Sequence, residues 1–172
     1  MEGNKHRYGQ DKIKLFNMAR PKDYNVISAV SDKREKVLLH RFGSFGLGST
    51  IDQNIALSAK DKILDTQTIE TKPLNEIINK SPFKDQQIDL LSIDAEGMDY
   101  KVLCSLDFHK YQPKIIIIES HCNNIQDVLK TDIYKFLDSR SYILRSWTFY
   151  SLIFILPGAN LLKDREKGRC FS

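Results

Sequence analysis

No stretch of this chain approaches the ~20 consecutive apolar residues that a membrane-spanning helix requires. Its longest apolar run toward the end, residues 147–156, is interrupted by Ser151 and reads as two strands. The start, residues 1–10, is polar and has no apolar segment of the kind a secretory signal carries. Cys104, Cys122 and Cys170 are odd in number and far apart, and no Cys-x-x-Cys pair exists, so a thiolate zinc site is not expected. Three unpaired thiols fit a reducing compartment, and a cytoplasmic location is the expectation. Glycine and proline are few, eight and five in 172 residues, and no repeat or low-complexity linker divides the chain. One Gly-rich stretch, FGSFGLGST at residues 42–50, resembles a phosphate cradle. It lacks the Lys that precedes Ser or Thr in nucleoside-triphosphate loops and follows no long apolar strand, so it reads as a flexible connection.

What is present is an ordinary globular balance, 41% hydrophobic and 28% charged, in a length suited to one domain. The net charge is +4, with basic residues gathered at the two ends, Lys5 to Lys14 and Lys163 to Arg169. Asp164 and Glu166 dilute the second cluster, and both read as solvated ends rather than a nucleic-acid surface. The expectation is a single domain over residues 1–172 with flexible ends at 1–12 and 158–172, and no nucleic-acid or membrane partner.

Residues 13–19 form a short predicted helix broken by Pro21, and residues 25–30, rich in β-branched side chains, read as a strand. Lys36 to Phe42 reads as a second extended piece. Pro73 and the LNEII that follows predict a helix with Pro73 in its first turn. Residues 88–93 are a compact apolar run. Met98, Val102, Leu103 and Leu106 then recur at helical spacing, and residues 114–119 (KIIIIE) are the most strand-like stretch in the chain. Ile125, Val128, Leu129, Ile133, Phe136 and Leu137 make a helical stripe, and residues 142–149 and 152–156 close as an antiparallel pair. Strands alternating with helices predict an α/β fold with a largely parallel sheet, and the IIII run fits burial on both faces. Ligands in such sheets bind beyond the carboxyl ends of the strands.

Three strand ends therefore matter. After Ile93 comes Asp94-Ala95-Glu96-Gly97, two carboxylates in a tight turn. They suit proton transfer, hydroxyl binding or ligation of a hard cation, and equally the capping of the next helix. Glu119 ends a buried strand and is expected to face the same crevice, with His121 beside it as a base, a ligand or a surface residue. Convergence of Asp94, Glu96, Glu119 and His121 would suit Mg or Mn, although no metal is assigned. Ser31 and Asp32 follow Val30, either as a nucleoside contact or as a plain loop beside Lys33 and Arg34.

The stretch IDLLSIDAEGMDYKVLCSLDFHKYQPKIIIIES resembles the FkbM methyltransferase pattern: a strand, an Ile-Asp-x-Glu-Gly turn, a helix and a strand ending in Glu. KLFNMARPKDYNVISAVSD and the Thr-x-Pro-Leu-Asn-Glu-Ile-Ile segment are similar to upstream parts of that family, so the resemblance runs over residues 13–156. It implies a Rossmann-like class I sheet, S-adenosyl-L-methionine as cofactor, and O-methylation of a sugar or small-metabolite hydroxyl. It further implies Ser31, Asp32 and Asp94 as cofactor contacts and Asp94, Glu96 and Glu119 as catalytic residues, with Glu96 taking the hydroxyl proton and Asp94 orienting substrate or donor. The family's first strand, Gly-rich turn and second strand are not recognisable ahead of residue 13. A sheet truncated at its amino-terminal side is therefore expected, with two open edges through which copies can self-associate. A catalytically inactive α/β binding module and a metal-dependent hydrolase are the other two readings.

Overall fold

The computed structural model describes residues 7–42 and 49–158. Of the expected flexible ends, residues 1–6 and 159–172 lie outside the described residues, as do residues 43–48 of the Gly-rich loop, while residues 7–12 belong to the first helix. The first helix, α1 (Arg7–Ala19), starts six residues ahead of the predicted position and stops before Pro21.

A three-stranded sheet comes first. β1 (Ala29–Val30) pairs parallel with β3 (Ile63–Lys72), which pairs antiparallel with β2 (Lys36–Phe42), in the order β1-β3-β2. The strand expected at 25–30 is reduced to its last two residues, because only Ala29 and Val30 meet ladder partners, Thr71 and Lys72. β3 is absent from the sequence reading, and so are the short helix α2 (Gln53–Ser58) and the 3-10 turn at Lys60–Lys62 that precede it. Thr71 fastens the segment after β1. Its hydroxyl, fully buried, donates to the Lys33 carbonyl at 2.8 Å, and its amide donates to the Glu35 carbonyl at 2.9 Å. Outside that loop, Arg34 bridges Glu70 and Glu76 in solvent, and its hydrogen bonds hold the Glu76 carboxyl down to about 2.

The helix α3 (Leu74–Lys80) begins one residue after Pro73, which is its cap rather than part of its first turn. It is tied to the second half of the chain at the Ser105 hydroxyl, which accepts from the Leu74 amide at 2.9 Å.

The second sheet has the order β4-β5-β7-β6, from β4 (Leu90–Ile93), β5 (Ile115–Glu119), β6 (Ile143–Thr148) and β7 (Ser151–Ile155). β4 and β5 run parallel, and the expected antiparallel pair is present with β7 inserted between β5 and β6. Three helices cover one face: α4 (Asp99–Cys104), α5 (Ile125–Lys130) and α6 (Asp132–Asp138). The single stripe predicted over 125–137 is two helices. Thr131 adopts an extended conformation between them and its hydroxyl accepts from the Tyr134 amide at 3.1 Å, an N-cap that ends one helix and starts the next.

The core lies here. Register puts Ile116 opposite Phe154 and Ile118 opposite Leu152, so four fully buried side chains share one face and pack with Leu103, Val128 and Leu137. The partners on the other face, Ile115, Ile117, Ile153 and Ile155, are only half-buried, so the IIII run is enclosed more on one side than on both.

Truncating Phe154 to Ala should remove about 3–5 kcal/mol, the usual cost of deleting a buried aromatic ring. Urea denaturation followed by circular dichroism checks this. A loss near that of an exposed residue would place Phe154 outside the core.

Candidate active site

The acidic turn between β4 and α4 is built by a residue that the sequence reading passed over. Asp99, 7% exposed, turns its carboxylate back onto the turn and accepts from the amides of Ala95 at 2.8 Å and Gly97 at 3.2 Å. The carboxylate thereby satisfies two amides of the turn that precedes the helix. Within this loop the backbone is left-handed at two successive residues, Glu96 (φ 48°) and Gly97 (φ 96°). Glycine is needed at 97 for space as well. An added Cβ would sit 2.6 Å from Ile55 Cδ1 and 3.3 Å from Asp52 Cβ. The turn is therefore docked on the start of α2, where Asp52 caps the helix by accepting from the amides of Asn54 and Ile55. Thr50, buried at the end of the Gly-rich loop, donates its hydroxyl to the Glu96 carbonyl at 2.8 Å.

This docking leaves a cleft of about 290 Å³ between the end of β1 and the acidic turn. Ser28, Ala29 and Val30 line one side, Asp94, Ala95, Glu96 and Met98 the other, with Leu39, Ser49 and Ile51 between. Asp94 and Glu96 are exposed along it, and the end of β5 lies close to them. The Glu119 carboxyl is pushed up from the ordinary glutamate range, first by burial and then by the negative charge of Asp94, with Asp99 and Glu96 adding and His121 opposing. Nε2 of His121 stands 3.3 Å from Oε1 of Glu119.

Asp94, Glu96 and Glu119 are thus brought to one end of the fold, and His121 reaches it through Glu119. Ser31 and Asp32 are adjacent in sequence to the cleft but do not line it. Ser31 is fully buried, its amide donating to the Lys72 carbonyl at 3.2 Å and its hydroxyl to Asp32 Oδ1 at 3.0 Å. Asp32 is felt at Cys104, where burial pushes the thiol up and Asp32 is among the lesser causes. Among the described residues, no three His, Cys, Asp or Glu side chains are gathered as a metal-ion ligand set. None of the described helices is long and apolar enough to cross a membrane.

The sequence signal for Asp99 is its position two residues past the glycine, at the first helical residue, where a carboxylate can reach back to amides of the preceding turn. Replacing it with Ala should cost about 2–3 kcal/mol, since two hydrogen bonds to a charged acceptor are lost in a buried place. Chemical denaturation measures this, and a loss below about 0.5 kcal/mol, the range of neutral surface changes, would mean that the turn holds itself.

The Glu119 shift gives a second expectation. A carboxyl raised in the folded state binds its proton more tightly folded than unfolded. Its contribution to stability is present below the unfolded value and is lost as pH rises through the folded one. Replacing Asp94 with Asn removes repulsion and leaves burial, so the Glu119 value should fall part of the way toward the ordinary range. Carboxyl-detected NMR titration reads the change, and an unmoved Glu119 would separate the two residues.

Comparison with known protein families matches residues 5–144 to the methyltransferase FkbM domain. No curated protein and no solved structure matches the chain.

Proposed function

Because the chain belongs to the FkbM methyltransferase domain family, we propose that it acts in S-adenosyl-L-methionine-dependent methyl transfer to a hydroxyl of a sugar or other small metabolite. The observation that carries this reading is the convergence of Asp94 and Glu96 on a cleft at the carboxyl ends of β1 and β4, with Glu119 at the end of β5 close enough to feel the charge of both. The sheets are read as parts of one Rossmann-like class I sheet. In its support, neither β1 nor β4 has a second strand partner among the described residues, which is where the family's first two strands belong.

The lining suits the cofactor in kind. Val30, Leu39, Ile51 and Met98 offer apolar surface to a purine, and Asp94 and Glu96 offer acceptors to hydroxyl and amino groups and negative charge to a cation. At about 290 Å³ the cleft stands at the lower end of the roughly 300–1,000 Å³ typical of ligand sites, so it takes part of the molecule. When bound, S-adenosyl-L-methionine supplies a methyl already activated on a sulfonium, so its transfer to a hydroxyl oxygen releases one proton and leaves a thioether. Glu119 is the carboxylate best suited to receive that proton, since its raised affinity brings it nearer to the working pH. Glu96, the first candidate on sequence, is exposed and shares the cleft wall with Asp94, which orients the acceptor or donor. Ser31 acts by positioning Asp32, its hydroxyl already given to that carboxylate.

A second reading, a binding module that self-associates, draws on the open edge at β4, where Leu90 is 53% exposed. One pair of measurements separates the two. Calorimetric titration of the full chain with S-adenosylhomocysteine is expected to give saturable one-to-one binding, weakened about tenfold by Asp94→Asn. A folded chain that binds none and elutes as a stable dimer in light-scattering chromatography would favour the second reading and remove the first.

A further inference from the structure

The tip of the β6–β7 hairpin is two aromatic residues, Phe149 and Tyr150, exposed by 79% and 53%. Thr148 pairs with Ser151, so these two are the whole of the turn. Phe149 has φ 59° and Tyr150 has no positive φ, a pattern in which the first turn residue is ordinarily glycine. A bulky side chain there is strained. A two-residue hairpin gains nothing for its own folding from a phenyl ring held in solvent at that position, and such outliers gather where a surface is used.

The turn is also fixed in place. Trp147 Nε1 donates to the Phe149 carbonyl at 2.8 Å, and the Ser120 amide donates to the Tyr150 carbonyl at 2.8 Å. The second bond fastens the hairpin tip to the carboxyl end of β5, and register places Ser151 directly opposite Glu119. The rings therefore stand beside the candidate base. His121 packs on Tyr150 with ring centroids 4.9 Å apart and pairs with Glu119, while Phe149 meets Tyr150 edge to face at 5.0 Å.

We propose that Phe149 and Tyr150, with His121 and Glu119, form the acceptor subsite, and that its ligand is a hexopyranose ring. Such a ring has an apolar C–H face and a rim of hydroxyls. The aromatic tip suits the face. The Glu119 carboxylate and the His121 imidazole suit the rim, one accepting and one able to donate or accept. A flat hydrocarbon would use the rings and displace water from the carboxylate with no hydroxyl to replace it, which disfavours a purely apolar ligand. The subsite rests on the methyl-transfer reading for its purpose, because it places a hydroxyl against Glu119, whose carboxyl feels the charge of cleft-lining Asp94.

The test is saturation-transfer NMR on the full chain, saturated with S-adenosylhomocysteine, using the methyl glycosides of glucose, galactose, mannose and rhamnose, with cyclohexanol as an apolar control. Transfer to the ring C–H protons of at least one glycoside is expected. Its affinity should weaken roughly tenfold in Tyr150→Ala, recover in Tyr150→Phe, and exceed that for cyclohexanol. Tyr150 is exposed, and circular dichroism confirms that both variants fold. Absence of transfer from every glycoside while S-adenosylhomocysteine binds would overturn the subsite and leave the methyl-transfer reading standing. Equal transfer in Tyr150→Ala, or equal affinity for cyclohexanol, would overturn it as well. Glycoside contact that depends on Tyr150 in a chain unable to bind S-adenosylhomocysteine would support the subsite and count against methyl transfer. Failure of both ligands would overturn both.

Discussion

Asp99 holds the arrangement on which the site depends. A sheet end that presents two carboxylates within three residues must turn sharply, and the turn here, through left-handed Glu96 and Gly97, leaves the amides of Ala95 and Gly97 in need of partners. The buried Asp99 carboxylate supplies them from the first residue of the next helix, so strand, turn and helix are closed by one side chain. Glu96 is not glycine, and a left-handed conformation costs it about 1–2 kcal/mol. Charge-assisted bonds of the Asp99 kind are large enough to offset that.

The same turn joins the two sheets. The hydroxyl of Thr50 reaches the Glu96 carbonyl, and Gly97 lies against Asp52 and Ile55 at the start of α2, so the loop leaving β2 is seated on the turn leaving β4. On the far side, Ser105 binds the start of α3. The hydrophobic core belongs almost wholly to the second sheet and its helices, which makes that half the rigid platform. The end of β1 is brought to it through polar contacts and a few apolar ones, and the cleft is the space left between them.

The acidic strand end, the two flanking strands and the closing hairpin were legible because apolar runs stop abruptly at charge, a pattern that burial and exposure at a strand end both require. The family match, over residues 5–144, includes that stretch. β3 was not legible for a physical reason. Its half-buried positions include Asp65 and Gln67, and Arg41 of the neighbouring strand pairs with Asp65 at 2.5 Å, so polar side chains occupy the face where alternation of apolar residues would have signalled a strand. The break at Thr131 was hidden by an apolar stripe that continues in phase across it, with the cap visible only as Thr-Asp before the second half. Asp99 resembled any acidic residue in a first helical turn. Ser31 and Asp32 were placed by analogy, and the structure spends the Ser31 hydroxyl on its neighbour.

Four carboxylates at one end of a fold would repel one another if all were equally desolvated, and their settings divide the work. Asp99 is buried with its charge matched by two amides. Asp94 and Glu96 are exposed, so water screens them. Glu119 is partly withdrawn from water and feels the charge of the other three, and adding a proton there relieves both desolvation and repulsion. A general base works best when its affinity for a proton lies near the working pH. A neutral ligand that fills the cleft and excludes water strengthens the repulsion from Asp94 and so raises the affinity of Glu119 for a proton, whereas a cation seated against Asp94 opposes it. The exposed carboxylates thus act on Glu119 through their charge.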